Sequence, residues 1–216
     1  VSAPMLEGAR EIELSADWRE GDAAALPVGP EEQFERVFCQ QGLQFFADRN
    51  AAAAELRRVT APGSLLLAAV WRSAEEMPVS EALRRAAERH VGPVADQRYA
   101  FGDGDALARL LSAAGFADVR VDQASLVARF TDGAELVRMN AMALIGMSSA
   151  RIPEEERDRL VDVVAAEGLR AVRTSMDGAT LVCEMRSNIA VARWCLKRRE
   201  PSPCRTATAR CGPSHE

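Results

Sequence analysis

Lysine is almost missing from this chain: Lys197 is the only one among 27 basic residues, so the positive charge is nearly all arginine. Acidic residues outnumber basic ones, 32 to 27, and the net charge of −5 argues against a nucleic-acid scaffold. Aromatic residues are scarce at 5%, with Tyr99 the sole tyrosine, so the core must be built from aliphatic side chains and alanine. Long hydrophobic runs are absent as well. The run Leu65 to Trp71 is far shorter than the ~20 residues a membrane-spanning helix needs, and no secretory leader is visible. Five cysteines, an odd number without a framework spacing, exclude a disulfide scaffold and fit a reducing, cytoplasmic setting. Cys195, Cys204, Cys211 and His215 match none of the compact ligand pairs of structural zinc, so no metal is expected. From Leu196 on, proline, serine, threonine and arginine dominate, and residues 195–216 read as a disordered tail.

What is present is one domain's worth of α/β pattern: 216 residues, 48% of them hydrophobic, can bury a sizeable core. Chemistry concentrates between Asp17 and Asp48. Trp18 to Glu20 is extended in character and runs into the turn pair Gly21-Asp22, which places Asp22 at the carboxyl end of a short strand, Trp18 to Asp22. Phe34 to Cys39 is a second strand, aromatic and β-branched, ending in the polar pair Gln40-Gln41 before Gly42. In an open α/β sheet, ligands bind outside the carboxyl ends of the strands, so Asp22 and Gln40 are expected to face one ligand.

At these residues the sequence resembles a family. EGDAAALP, then FERVFCQQGLQFFADR, then ELRRVTAPGSLLLAAVWR resemble the central and later part of a class I S-adenosylmethionine-dependent methyltransferase of the small-molecule and quinone-modifying kind. The resemblance covers about Val1 to Trp194 and implies a Rossmann-like, mostly parallel sheet with an antiparallel C-terminal strand pair. It implies that Asp22 and Ala23 hold the adenine of S-adenosylmethionine and that Gln40 lies beside its methionine end. The family's glycine-rich loop and the acidic residue closing its second strand have no counterpart. VSAPMLEGARE resembles the segment that follows that acidic residue, which implies an N-terminally truncated domain without its first two strands.

The rest of the chain alternates helix and strand. Pro4 to Glu11 reads as a short helix, and Asp48 to Val59 as a helix capped by Asp48 and stopped by Pro62-Gly63. Ser64 to Trp71 reads as a strand covered on both faces. Pro78 to His90 and Asp105 to Ala114 are helices, the second capped by Asp105. Val119 to Phe130 is a long strand whose apolar parity switches, predicting a bulge near Asp122 to Ser125. Two further helices, one started at Asp132 and one by Pro153, form an insertion over 132–172 that the resemblance puts on the substrate side. A final strand runs from Asn188 to Trp194, with helices expected on both sheet faces.

The expected function is methyl transfer to a small-molecule acceptor. Gln41, Gln44 and Met142 are candidate substrate contacts, the amides because they position without removing protons. Met139, Met142 and Met147 at helical spacing read more readily as core filler than as the lining of a pocket. No catalytic base stands out: His90 suits a helix C-terminus, Tyr99 suits packing, and Glu184 with Arg186 suits a solvated pair. Leu26 is placed to close over the adenine or to join the core. A non-catalytic interaction subunit, in which a partner chain replaces the lost cofactor loop, is the alternative class; a homo-oligomer is a separate expectation. A nicotinamide-dependent oxidoreductase lacks its glycine fingerprint here.

Overall fold

The near-continuous apolar run becomes the centre of the sheet. In the computed structural model, which describes residues 3–195, strand β2 (Thr60–Trp71) buries Leu66, Ala68 and Val70 completely. Strand β1 (Phe34–Gln40) pairs with it in parallel, and β5 (Thr180–Arg193) pairs antiparallel on its other side. Strand β3 (Ala117–Phe130) closes the far edge against β5, giving the order β1-β2-β5-β3, with the two-residue β4 (Met176–Asp177) also on β5.

Helix α1 (Ala3–Ile12) precedes this sheet, and helices α2 (Arg49–Val59) and α4 (Gly104–Ala113) join its main core through Ala53, Leu56, Leu107 and Leu111. Helices α3 (Pro78–Val91), α5 (Gly133–Gly146) and α6 (Glu154–Ala171) build a second core around Leu83, Val137, Leu144 and Val164, seated on Leu181 of β5. Asp48 and Asp132 cap α2 and α5, accepting from the amides of Ala51 and Glu135 at 2.9 Å each. Pro153 stands directly before α6, whose first turn is Glu154 to Glu156 and complements the helix dipole.

Five expectations change. Trp18 to Asp22 is not a strand; it has no ladder neighbour and is held by side chains instead, with the Trp18 indole donating to the Glu13 carbonyl at 2.9 Å and Arg19 bridging Asp17 and Glu32. Strand β2 starts at Thr60, directly after α2, because Phe34 of β1 pairs with it and the Gly63 amide bonds the Trp194 carbonyl. The cap of α4 is Asp103, two residues before Asp105, with its carboxylate accepting from the amides of Asp105 and Ala106. β3 keeps an unbroken register from Arg120 to Phe130, and its irregularity lies at Asp118, whose φ is 50°. Residues 122–127 are exposed on both faces of this edge strand, so the switch in apolar parity needs no bulge. β5 begins at Thr180, eight residues before Asn188, so Glu184 and Arg186 lie within it.

One sheet face also stays partly open. Phe34 and Phe38 of β1 are 40% and 67% exposed, because the described helices cover only the opposite side of this strand. Residues 196–216, including the tail and Cys204, Cys211 and His215, lie outside the described residues.

Candidate cofactor and acceptor site

Two features meet at the carboxyl end of β1. The first is a cleft of about 700 Å³ between the loop Gly21 to Pro27 and the segment Phe45 to Asp48. Gly21 is required by packing: a Cβ there would stand 2.4 Å from Cδ of Pro27. The tight loop this permits turns Asp22 and Ala23 into the cleft. One Asp22 oxygen accepts from the Ala24 amide at 2.9 Å, which fixes the carboxylate while its other oxygen has no protein partner among the described residues. Leu26 lines the same cleft and is anchored from behind, its amide donating to Glu55 at 2.8 Å. Arg58 locks Glu55 in turn and holds its carboxyl below the usual carboxylate range. The opposite wall is Phe45 and Phe46, apolar and partly exposed.

The second feature is the turn that leaves β1. Gln40 ends the strand with an exposed side chain, and Gln41 takes a left-handed backbone, φ 51°, which is costly for a residue with a Cβ. Its amide extends the ladder to the Ala69 carbonyl at 2.8 Å, and its Nε2 donates to Ser187 Oγ at 3.1 Å across the end of the sheet. Oε1 of Gln41 is buried without a partner. Gln44, on the one-turn helix Leu43–Phe45, is 2% exposed, and neither its Oε1 nor its Nε2 has a partner. These three atoms are the only buried, unpaired side-chain polar atoms among the described residues. Each carries a desolvation cost of about 1–3 kcal/mol.

The surroundings of the turn are fully committed. Arg49 donates to the carbonyls of Leu43 and Gln44 at 3.0 and 2.9 Å, with its guanidinium 4.8 Å over the Phe101 ring. The one-turn helix Gln97–Tyr99 packs onto Leu43–Phe45 as a roof. Buried Asn188 ties that roof segment to β5, its Nδ2 donating to the Gly102 carbonyl at 2.7 Å.

Of the sequence-predicted residues, Asp22, Ala23 and Leu26 come together in the cleft, and Gln41 and Gln44 come together at the turn. Gln40 does not line the cleft. Met142 is 55% exposed on α5, which packs against α3, α6 and β5 rather than the cleft. Tyr99 donates to Ser80 at 2.7 Å and burial pushes its pKa up, so it is a packing residue. His90, with Arg89, engages the Glu167 carboxylate. Glu184 and Arg186 pair with each other at 2.6 Å along β5. Burial pushes the thiols of Cys39 and Cys183 up, as expected of apolar packing. The cleft walls Phe45 and Phe46 carry a sequence signal, two adjacent phenylalanines in an aromatic-poor chain, whereas Ser187 and Asn188 carry none.

Residues 1–68 match the family model for the methyltransferase domain. The fold is similar to that of the YcgJ protein from Bacillus subtilis, at 14% identity over 90% of this chain and 80% of that one, with a TM-score of 0.54. BH2331 of Bacillus halodurans C-125, provisionally assigned as a methyltransferase, is 18% identical over 91% of this chain and 81% of that one, with a TM-score of 0.48. The [4+2]-cyclase SpnF is 24% identical over 88% of this chain and 62% of that one, with a TM-score of 0.47. A sequence search of curated proteins finds no match. The matched segment and the mixed α/β sheet together relate residues 1–68 to the methyltransferase domain and the described fold to that of the YcgJ protein.

Proposed function

We propose that the Asp22 cleft receives the adenosyl part of S-adenosylmethionine and that the glutamine turn faces a small-molecule methyl acceptor. The observation that carries this reading is the carboxylate of Asp22, held at one oxygen and free at the other, at the mouth of a cleft with apolar walls. Such a site fits adenine: the free oxygen accepts from the exocyclic amino group, and Leu26, Phe45 and Phe46 offer faces for the ring. Gly21 keeps the loop tight enough for Ala23 to approach the base. When bound, the cofactor supplies an activated methyl group on its sulfonium. The chain's own residues then have to orient the acceptor, and Gln40, Gln41 and Gln44 are amides that orient without taking a proton. The helical segment 132–172 contributes to the acceptor side through the hydrogen bond from Arg98 of the roof to Asn140 of α5, at 2.9 Å.

The described residues contain neither a glycine-rich turn for the cofactor nor a carboxylate for its ribose in the family's pattern, so affinity rests on the adenine side and is in the millimolar range. The test is a titration of S-adenosylhomocysteine into the wild type and Asp22→Ala, followed by ligand-observed NMR. Loss of a charged hydrogen bond, about 1.5–3 kcal/mol, predicts weaker binding by about tenfold or more in Asp22→Ala. Equal affinities contradict the assignment of Asp22.

A second reading draws on the exposed Phe34 and Phe38 of β1: an interaction subunit that associates through this face, as a homo-oligomer. Sedimentation at several protein concentrations separates the two, since a monomer at all concentrations removes the second. No helix among the described residues is long and apolar enough to cross a membrane, and a cytoplasmic site of action fits the free thiols of Cys39, Cys183 and Cys195.

A further inference from the structure

We infer that Arg58, with Glu55 beside it on α2, is a positioning residue for the Asp22 cleft: it touches no ligand itself but holds the loop Leu26 to Gly29, and through Pro27 the turn that carries Asp22. This rests on the adenosyl reading of the cleft above and deepens it. The loop's own sequence leaves it short of donors. Pro27 and Pro30 have no backbone N–H to give. Among the described residues, backbone amides reach only the carbonyls of Leu26 and Gly29, from Val28 at 2.7 Å and Glu32 at 3.1 Å. Apolar burial does not hold the loop either, since neither Leu26 nor Val28 belongs to one of the two hydrophobic cores.

Arginine supplies what is missing. A guanidinium carries five N–H groups in a planar fork, and every one of those on Arg58 finds an acceptor. Nε and Nη2 donate to the two oxygens of Glu55, at 2.7 and 2.8 Å. Nη1 donates to the carbonyls of Val28 and Gly29, at 3.2 and 3.3 Å, and Nη2 also reaches the carbonyl of Leu26 at 3.5 Å. Arg19 takes the carbonyl left between them, that of Pro27, at 3.2 Å. Two arginines thus meet four successive carbonyls, while Glu55 accepts from the Leu26 amide at 2.8 Å. The shape so fixed is that of the cleft: Leu26 and Pro27 line it, whereas Glu55 and Arg58 do not. Pro27 lies so close to Gly21 that a Cβ there has no room, so a held Pro27 seats the Gly21-Asp22 turn. Ordering an exposed loop costs conformational entropy. Here side chains behind the wall do the ordering before any ligand arrives, which is preorganisation of the site.

The experiment uses the whole chain, in two parts. Without ligand, amide hydrogen exchange is followed by NMR in the wild type, Arg58→Lys and Glu55→Gln. Lysine keeps the charge but has three donors and no fork, so it should not rescue, and the amides of Leu26 and Val28 should exchange about tenfold faster or more. Glu55→Gln, which leaves one acceptor oxygen where there were two, should loosen the same amides and serves if Arg58→Lys does not fold. Arg57→Lys, which disturbs the stack on Trp194 from the same turn of α2, controls for a general loss of stability and should leave both loop amides at wild-type rates. In the second part adenosine is titrated at millimolar concentration and followed through the amides of Ala47 and Asp48 on the opposite wall. Its dissociation constant should rise about three- to tenfold in Arg58→Lys and Glu55→Gln, although neither residue lines the cleft, and stay unchanged in Arg57→Lys. Wild-type protection of Leu26 in Arg58→Lys, an equal response in Arg57→Lys, or a loosened loop that binds adenosine as tightly as wild type overturns the inference. If adenosine finds no site in the wild-type cleft, the adenosyl reading falls and the cofactor role of the pair falls with it. If adenosine binds and Arg58→Lys leaves the loop as it was, the positioning role alone is wrong.

Discussion

Adding one methyl group at Gly102 should loosen the whole carboxyl end of the sheet. A Cβ there would lie 2.4 Å from the amide nitrogen of Ser73 and 2.6 Å from the carbonyl carbon of Arg72, and both are backbone atoms just past the end of β2 that cannot swing aside. The roof segment would have to shift outward, and its carbonyl would draw away from the buried Nδ2 of Asn188, now at 2.7 Å. Overpacking of this kind costs about 1–3 kcal/mol, and weakening a buried hydrogen bond adds about 0.5–1.5 kcal/mol. The restricted unfolded chain returns about 0.4–1 kcal/mol when glycine becomes alanine. The net expectation for Gly102→Ala is a loss of about 0.5–4 kcal/mol, or about 1–16 °C in melting temperature for a domain of this size. Urea unfolding followed by circular dichroism measures it, with Asn188→Ala as a companion. The two substitutions act on one contact, so the second should cost less in the Gly102→Ala background than alone. A Gly102→Ala midpoint at or above that of the wild type, with an unchanged slope, would refute the clamped roof.

Gly8 is the opposite case: it lies within α1 with nothing inside 4 Å of an added Cβ, so Gly8→Ala should stabilise by about 0.5–1 kcal/mol in the same unfolding assay. The Glu167 carboxyl is held below its usual range by the His90 hydrogen bond and then by Arg89. A depressed carboxyl stabilises the fold above its unfolded value and loses that contribution as pH falls through the folded one. The stability difference between wild type and Glu167→Gln should therefore be largest above the ordinary glutamate range and close as the pH is lowered through and below it, as followed by thermal melts across an acid series.

Elements that carry their own local chemistry were readable from the chain. Phe34 to Cys39 became β1 with one residue added, and the aspartate caps of α2 and α5 stand where the expected helix starts put them. The misreadings share a cause, which is dependence on a neighbour. Trp18 to Asp22 has an extended composition, but a strand exists only with a ladder partner, and the segment folds on Glu13, Asp17 and Glu32 instead. The early start of β5 rests on β3: the charged stretch from Glu184 to Arg186 hides a ladder that β3 supplies residue by residue. Asp103 and Asp105 are both competent caps, and only the extended backbone of Asp103, at ψ 115°, decides between them. In the candidate site, Asp22 was expected at a strand's end and the Asp22-Ala23 pair through the resemblance; both line the cleft although that strand does not form. The buried, unpaired state of Gln44 is a property of what packs over it, supplied by a roof more than fifty residues away in the chain, and no local pattern encodes it.

Protein-observed NMR with S-adenosylhomocysteine and adenosine tests the adenosyl site most directly, because it reports where a ligand binds even when it binds weakly. Both ligands should shift the backbone amides of Gly21 to Leu26 and of Phe45 to Asp48, the two walls of the cleft, and Asp22→Ala should suppress those shifts. Shifts confined to other parts of the molecule, or an unaltered response in Asp22→Ala, would contradict an adenine site at Asp22.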